Sequence, residues 1–204
     1  MKMNKFPIHL PPAPMRGNKE LVLALPPDDW ALELKINGDR ALIFHHPNGQ
    51  WDIYSRHGRP LPVVRNSHNL MKLVKNLPVG WAVEGEWLSC SDIFFVFDVI
   101  WAPVNSQQEM DVIPGRQTSH TYDFRREVVR IAVDLMDNPS VFIMPRVNSN
   151  FVRAYEHWRK WPFAEGVVAK RRNSSYVASF GNTQQTSDWI KFRYNYEITN
   201  SLSE

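Results

Sequence analysis

Apolar positions change period several times along this chain, and each change marks an element. Trp30–Ile36 alternates and stops at Asn37-Gly38, the pattern of a strand running into a turn. Ala41–Phe44 and Trp51–Tyr54 flank Pro47-Asn48-Gly49 and predict a hairpin. Leu70, Val74 and Leu77 have helical spacing, so Ser67–Asn76 reads as a helix with Ser67 as its N-cap. Trp81–Leu88 and Ile93–Trp101 read as strands, the second apolar on both faces and therefore central and buried. Residues 102–120 are polar and irregular, a loop. Tyr122–Met136 reads as a helix with Phe124, Val128, Ile131 and Leu135 on its apolar face. Val141–Val147 is expected to be a strand and Phe151–Trp161 a helix with residues 151, 155 and 158 turned inward. Gly166–Lys170 and Trp189–Arg193 are short strands joined by a Ser/Asn/Gln-rich loop.

Residues 1–20 carry Pro7, Pro11, Pro12 and Pro14 and are expected to form an extended lead-in. No boundary interrupts the pattern after it, so residues 21–204 are read as one domain. The mixture predicts an α+β fold of mainly antiparallel sheets flanked by helices.

Composition narrows the class. With 204 residues and 43% apolar content, the chain can bury a sizeable core. Aromatics reach 12%, with eight Trp, more than a small core requires and suited to stacking on bases. The single cysteine, Cys90, excludes an intramolecular disulfide and points to a reducing, cytoplasmic compartment. No Cys/His pair has zinc-site spacing. No apolar run approaches the roughly 18 residues of a membrane helix, so no membrane partner is expected. A net charge of +3 is compatible with a polyanionic partner without requiring one.

Five segments carry candidate chemistry. They are Glu33-Leu34-Lys35-Ile36-Asn37-Gly38-Asp39-Arg40; Tyr54-Ser55-Arg56-His57-Gly58-Arg59; Glu84-Gly85-Glu86 with Phe95-Val96-Phe97-Asp98; Glu165-Gly166-Val167-Val168-Ala169-Lys170-Arg171; and Ser187-Asp188-Trp189-Ile190-Lys191-Phe192-Arg193. A lysine amine attacks only when neutral, which nearby cations and desolvation promote. Lys35 ends a strand, and Arg40, Lys170, Lys191 and Arg193 are the cations available to it. Lys191 and Arg193 share a strand face because they are two apart, and so do Glu84 and Glu86. Read without further context, Lys35 is a hairpin residue, Phe95 and Phe97 are core, and Arg171 and Arg172 are a solvated charge run.

In this order the five segments resemble the covalent nucleotidyltransferase superfamily of ATP-dependent DNA ligases, RNA ligases and mRNA capping enzymes. The resemblance runs from about residue 30 to 193. From Glu165 to Arg193, including Asn173-Ser174-Ser175-Tyr176, it is most like bacterial and phage ATP-dependent DNA ligases. It implies a nucleotidyltransferase (ATP-grasp-like) fold with the nucleotide cleft between the sheets. Lys35 would attack the α-phosphorus of ATP, form lysyl-AMP and expel pyrophosphate, with Lys191, Arg193 and Lys170 stabilising the developing charge. Glu33 and the backbone of Leu34 would read the base, Phe97 would stack on adenine, Glu86 would meet the ribose, and Arg40 would reach the ribose or a phosphate. Arg56 would engage the 5′-phosphate at a nick. Glu165, with Glu86, would be associated with Mg²⁺. The partner implied is nicked duplex DNA, with RNA ends as the alternative and a non-catalytic nick-binding module as a second; DNA repair and replication are the matching roles.

Two departures stand out. Asn37 replaces the usual motif aspartate, and arginine stands at 193 where a second lysine is usual. The chain also ends at Glu204, eleven residues past Arg193. A five-stranded OB-fold barrel requires well over about 40 residues. The expectation is therefore a minimal adenylation domain without an OB-fold domain, that role falling to a partner protein in trans or to none.

Overall fold

The computed structural model describes residues 10–61, 67–105, 108–110, 120–179 and 183–194. In chain order the elements are β1 (Ala13–Arg16), α1 (Lys19–Leu23), β2 (Trp30–Ile36), β3 (Asp39–His45), β4 (Trp51–Ser55), α2 (Ser67–Val74), β5 (Trp81–Leu88) and β6 (Ile93–Asn105). There follow β7 (Gln108–Met110), α3 (Tyr122–Met136), β8 (Val141–Ile143), β9 (Arg146–Val147), α4 (Phe151–Trp158), β10 (Ala164–Arg171) and β11 (Gln185–Arg193). The architecture is α+β with two mainly antiparallel sheets, as expected. The chain forms two compact units, each built on one sheet. One is made mainly of Gly38–Met144, joined by the stretch that begins at Ser175; the other comprises Ala13–Asn37, Pro145–Ser174 and the stretch that begins at Gln185.

In the second unit the strand order is β1-β11-β10-β2-β9, with β1 parallel to β11 and the other pairs antiparallel. Alternation gives this sheet one apolar face, from Leu32, Leu34, Ile36, Val167, Ala169 and Phe192, all buried. Helix α4 turns Phe151, Ala154, Tyr155 and Trp158 inward, and the Tyr155 and Phe192 rings lie 6.3 Å apart. The other face carries Glu33, Lys35, Lys170, Lys191 and Arg193.

The first unit holds a sheet of order β4-β3-β5-β6-β7, with β8 added parallel to β6. Its core joins Ile43, Val83, Phe94 and Val96 of the sheet to Leu70 and Val74 of α2 and to Val128 and Ala132 of α3. Gly49 closes the β3–β4 hairpin at φ +81°, a conformation open to glycine without strain.

The pattern of the sequence locates β2, β5 and α3 to the residue, and β6 is buried on both faces. Four expectations change. The apolar face of α3 is rotated: Tyr122, Arg125, Val128, Val129, Ala132 and Met136 are buried, while Phe124, Ile131 and Leu135 are 38%, 41% and 42% exposed. A buried ion pair at Arg125 fixes this orientation, and a count of apolar residues cannot see it. Part of the segment expected to be a loop is strand, since β6 runs on to Asn105 and pairs with β7; residues 111–119 lie outside the described residues. Val141–Val147 is not one strand but two, β8 and β9, in different sheets, and Pro145, which lacks a donor N–H, stands between them. The lead-in carries strand β1, and at its end begins a helix, α1, whose N-cap Asn18 accepts from the Leu21 amide at 2.8 Å. Helix α2 begins at Ser67, so any cap before it lies outside the described residues.

Candidate active site

The sequence-predicted residues divide between the two units. Lys35, Glu165, Lys191, Arg193, Lys170, Glu33 and Leu34 belong to the five-stranded unit; Arg40, Arg56, Glu86 and Phe97 belong to the six-stranded one.

In the five-stranded unit the geometry turns on an irregularity in β10. Ala164 pairs with Ile36 and Gly166 with Lys35, leaving Glu165 as an extra residue in a bulge. Gly166 also pairs with Arg193 on the other side, so Lys35 and Arg193 flank β10 at the same level. Only glycine fits at 166, because a Cβ there would lie 1.9 Å from the Phe192 carbonyl oxygen. The bulge aims the Glu165 carboxylate between its neighbours. Oε2 takes the Lys35 ammonium, and Oε1 accepts from Arg193 Nε at 2.7 Å. Lys35 and Glu165 keep 18% and 15% side-chain exposure and Arg193 keeps 43%, so all three can be reached from solvent.

Next along the same face, Val168 pairs with Glu33 on one side and Lys191 on the other. Glu33 is buried and holds Lys170 at 2.7 Å, and Lys170 lies over the Trp189 ring at 4.3 Å. The two groups expected to meet the base and a phosphate are thus engaged with each other. The Leu34 amide donates to the Pro145 carbonyl at 3.0 Å. Arg16 of β1 pairs with Lys191 and adds a cation that the five motifs do not contain. Four cations of the predicted set share this face with two carboxylates, an arrangement suited to a phosphate group.

The six-stranded unit places Glu84 and Glu86 on neighbouring positions of one face of β5. Arg40 lies opposite Glu86 on β3, and Arg40 Nε donates to Glu84 Oε1 at 2.5 Å. Arg40 Nη1 donates to the Pro12 carbonyl at 3.1 Å, and the guanidinium stands 5.4 Å from the centre of the Phe97 ring. Burial works against charge on Arg40, but Glu84, with Tyr176 and Glu86 beyond it, outweighs this and holds the guanidinium above its ordinary pKa. Glu86 is partly buried and accepts the Gly38 amide at 3.2 Å, which ties down the turn after Asn37. Phe97 is 8% exposed and faces Arg40, whereas Phe95 packs on Phe142 with 5.6 Å between centroids. Arg56 lies exposed in the turn after β4, donating to His57 at 3.0 Å.

Sequence reasoning gave no role to three side chains of this unit. Asp98 and Arg125 are both fully buried and form a two-bond ion pair at 2.7 and 3.2 Å. Tyr176, also fully buried, donates to Glu84 Oε2 at 2.9 Å. Burial first, then Glu84, pushes its phenol well above the ordinary tyrosine pKa. One signal was available: a lone tyrosine in a polar Ser/Asn stretch has to be buried by something outside that stretch.

Among the described residues, no group of three or more His, Cys, Asp or Glu is placed to hold a metal ion. Glu165 and Glu86, the two carboxylates expected at Mg²⁺, belong to different units.

No family model matches the sequence, and no curated protein matches it. Solved structures do. A mycobacterial DNA ligase D complexed with ATP and MES matches over 91% of this chain and 60% of its own, with 21% identity and a TM-score of 0.67. The fold is that of a ligase nucleotidyltransferase domain. The ATP-dependent DNA ligase of bacteriophage T7, in complex with ATP, shares this fold over 90% of this chain and 68% of its own, at 13% identity and a TM-score of 0.60. An archaeal ATP-dependent RNA ligase shares it over 94% and 50%, at 17% identity and a TM-score of 0.52. This nucleotidyltransferase fold therefore spans 60% of the length of the mycobacterial ligase D chain.

Proposed function

We propose that the chain is the adenylating module of an ATP-dependent polynucleotide ligase that seals 5′-phosphate/3′-hydroxyl nicks in DNA through a lysyl-AMP intermediate. The observation that carries this reading is the Lys35–Glu165–Arg193 cluster on the β10 bulge, which sets an amine, a carboxylate and a phosphate-binding guanidinium side by side. The likeness to DNA ligases solved with ATP supports it.

The chemistry follows from that cluster. Lys35 Nζ gives up a proton before attack, and Glu165, already bonded to it, is the nearest acceptor. The amine then forms a bond to the α-phosphorus of ATP while the bond from that phosphorus to the pyrophosphate oxygen breaks. Arg193 and Lys191 face the phosphate oxygens as charge builds. Mg²⁺, when bound, would neutralise the leaving pyrophosphate, with Glu165 as a protein ligand in the five-stranded unit and its remaining oxygens from phosphate and water. In the six-stranded unit Phe97 takes the adenine, Glu86 takes the ribose, Arg40 takes the ribose or a phosphate, and the exposed Arg56 takes the 5′-phosphate of the nick. Glu33 and Leu34 bear on the base from β2, and Lys170 acts on Glu33.

The archaeal RNA ligase neighbour favours one alternative substrate, an RNA end. Sealing assays with ATP and Mg²⁺ on nicked duplexes of all-DNA and of RNA-containing strands separate the two. The proposal expects sealing of the DNA nick; sealing confined to RNA would overturn the DNA reading, and transfer to neither would overturn the ligase reading.

A further inference from the structure

Glu84 has no solvent exposure, and its two oxygens are divided between two partners. Oε1 accepts from Arg40 at 2.5 Å and Oε2 accepts from the Tyr176 hydroxyl at 2.9 Å. A fully buried carboxylate is tolerated only where donors meet its lone pairs. Without the tyrosine hydroxyl, Glu84 would turn its unmet oxygen toward Arg40 and draw the guanidinium off its present line. Tyr176 reaches Glu84 across 92 residues of sequence, so no local secondary structure explains the contact. Tyr176 is itself fixed, with the Arg125 guanidinium 5.6 Å from its ring centre and Arg125 locked by Asp98. Arg40 is thereby held at Glu84, at the Pro12 carbonyl and across Phe97.

We infer that Tyr176 is a positioning residue for Arg40, acting through Glu84, and that it sets how well the site takes ATP rather than how fast Lys35 attacks. This rests on the reading of Arg40 as a nucleotide contact. The test is the ATP dependence of AMP attachment to Lys35, followed by intact mass in a single turnover, for wild type, Tyr176→Phe, Arg40→Ala and the double variant. Tyr176→Phe keeps the ring and removes one hydrogen bond to a charged group, so half-saturating ATP should rise about tenfold, with the limiting rate little changed and the melting temperature lowered by the buried carboxylate oxygen left without its donor. The double variant should be no worse than Arg40→Ala alone, because Tyr176 then has nothing left to position. Should Tyr176→Phe fail to fold, Glu84→Gln reads the same coupling and should behave alike. Unchanged ATP dependence in the Tyr176 variant, or effects that multiply in the double variant, would overturn the inference while leaving adenylation standing. Absence of AMP on the wild type is a different failure: it would overturn the adenylation reading, and this inference with it.

Discussion

Glu165 and Glu84 are both carboxylates that hold an arginine, yet they sit in different surroundings. Glu165 keeps 15% exposure, and its partners Lys35 and Arg193 keep 18% and 43%. Glu84 keeps none, and its partners are the partly buried Arg40 and the fully buried Tyr176. An ion pair in contact with water exchanges at little cost, whereas breaking a buried one leaves an uncompensated charge. The Glu165 cluster thus presents groups that can let go of one another when a substrate arrives. The Glu84 network presents groups that cannot. Groups that react need the first condition, and groups that orient a ligand need the second.

The comparison fails first if the buried network is removable. Arg125→Ala leaves Asp98 buried without its guanidinium and should cost about 3–5 kcal/mol of stability, measured by denaturant unfolding. A loss below about 1 kcal/mol, the range of exposed ion pairs, would show that burial does not separate the two clusters. Glu165→Gln should do the reverse. Its stability should stay within about 1 kcal/mol of wild type, while AMP attachment should slow at least tenfold, in keeping with a positioned acid–base group. Equal effects on folding and on rate would mean that the bulge is structural. Phe97→Leu keeps the apolar volume and loses the ring; half-saturating ATP should rise roughly five- to tenfold, the worth of about 1 kcal/mol of stacking.

The smallest effect is alkaline. Tyr176 and Tyr54 both have raised pKa values in the folded chain, Tyr54 to about 12, in each case first through burial and then through a neighbouring carboxylate. The unfolded chain ionises near the ordinary tyrosine value of about 10 and the folded chain only above it. Stability is therefore full below about pH 10 and falls as pH rises past it. Melting curves at stepped pH should show this fall, and Tyr176→Phe should flatten it.

Much of this was legible in the sequence. Period-two alternation located β2 and β5, and helical spacing located α3. The five motifs contain Lys35, Glu165 and Arg193, which lie on separate strands and meet at the β10 bulge. Other features were not legible for physical reasons. The apolar face of α3 is set by Arg125, which pattern counts assign to solvent but which Asp98 draws inside. The bulge that aims Glu165 is a matter of register between strands, and register depends on partners that a linear pattern does not contain. The pairing of Glu33 with Lys170 joins residues that are distant along the chain and adjacent only across a ladder. Each unit is assembled from separated stretches, so its limits leave no mark along the sequence.

The central claim is that Lys35 is a nucleophile made available by an exchangeable pair. The most direct test is intact mass after incubation with ATP and Mg²⁺, with GTP in place of ATP and Lys35→Ala as controls. The account predicts that wild type gains one AMP from ATP and that Lys35→Ala, folded as judged by its melting curve, gains none. No gain on wild type, or an undiminished gain on Lys35→Ala, would contradict it.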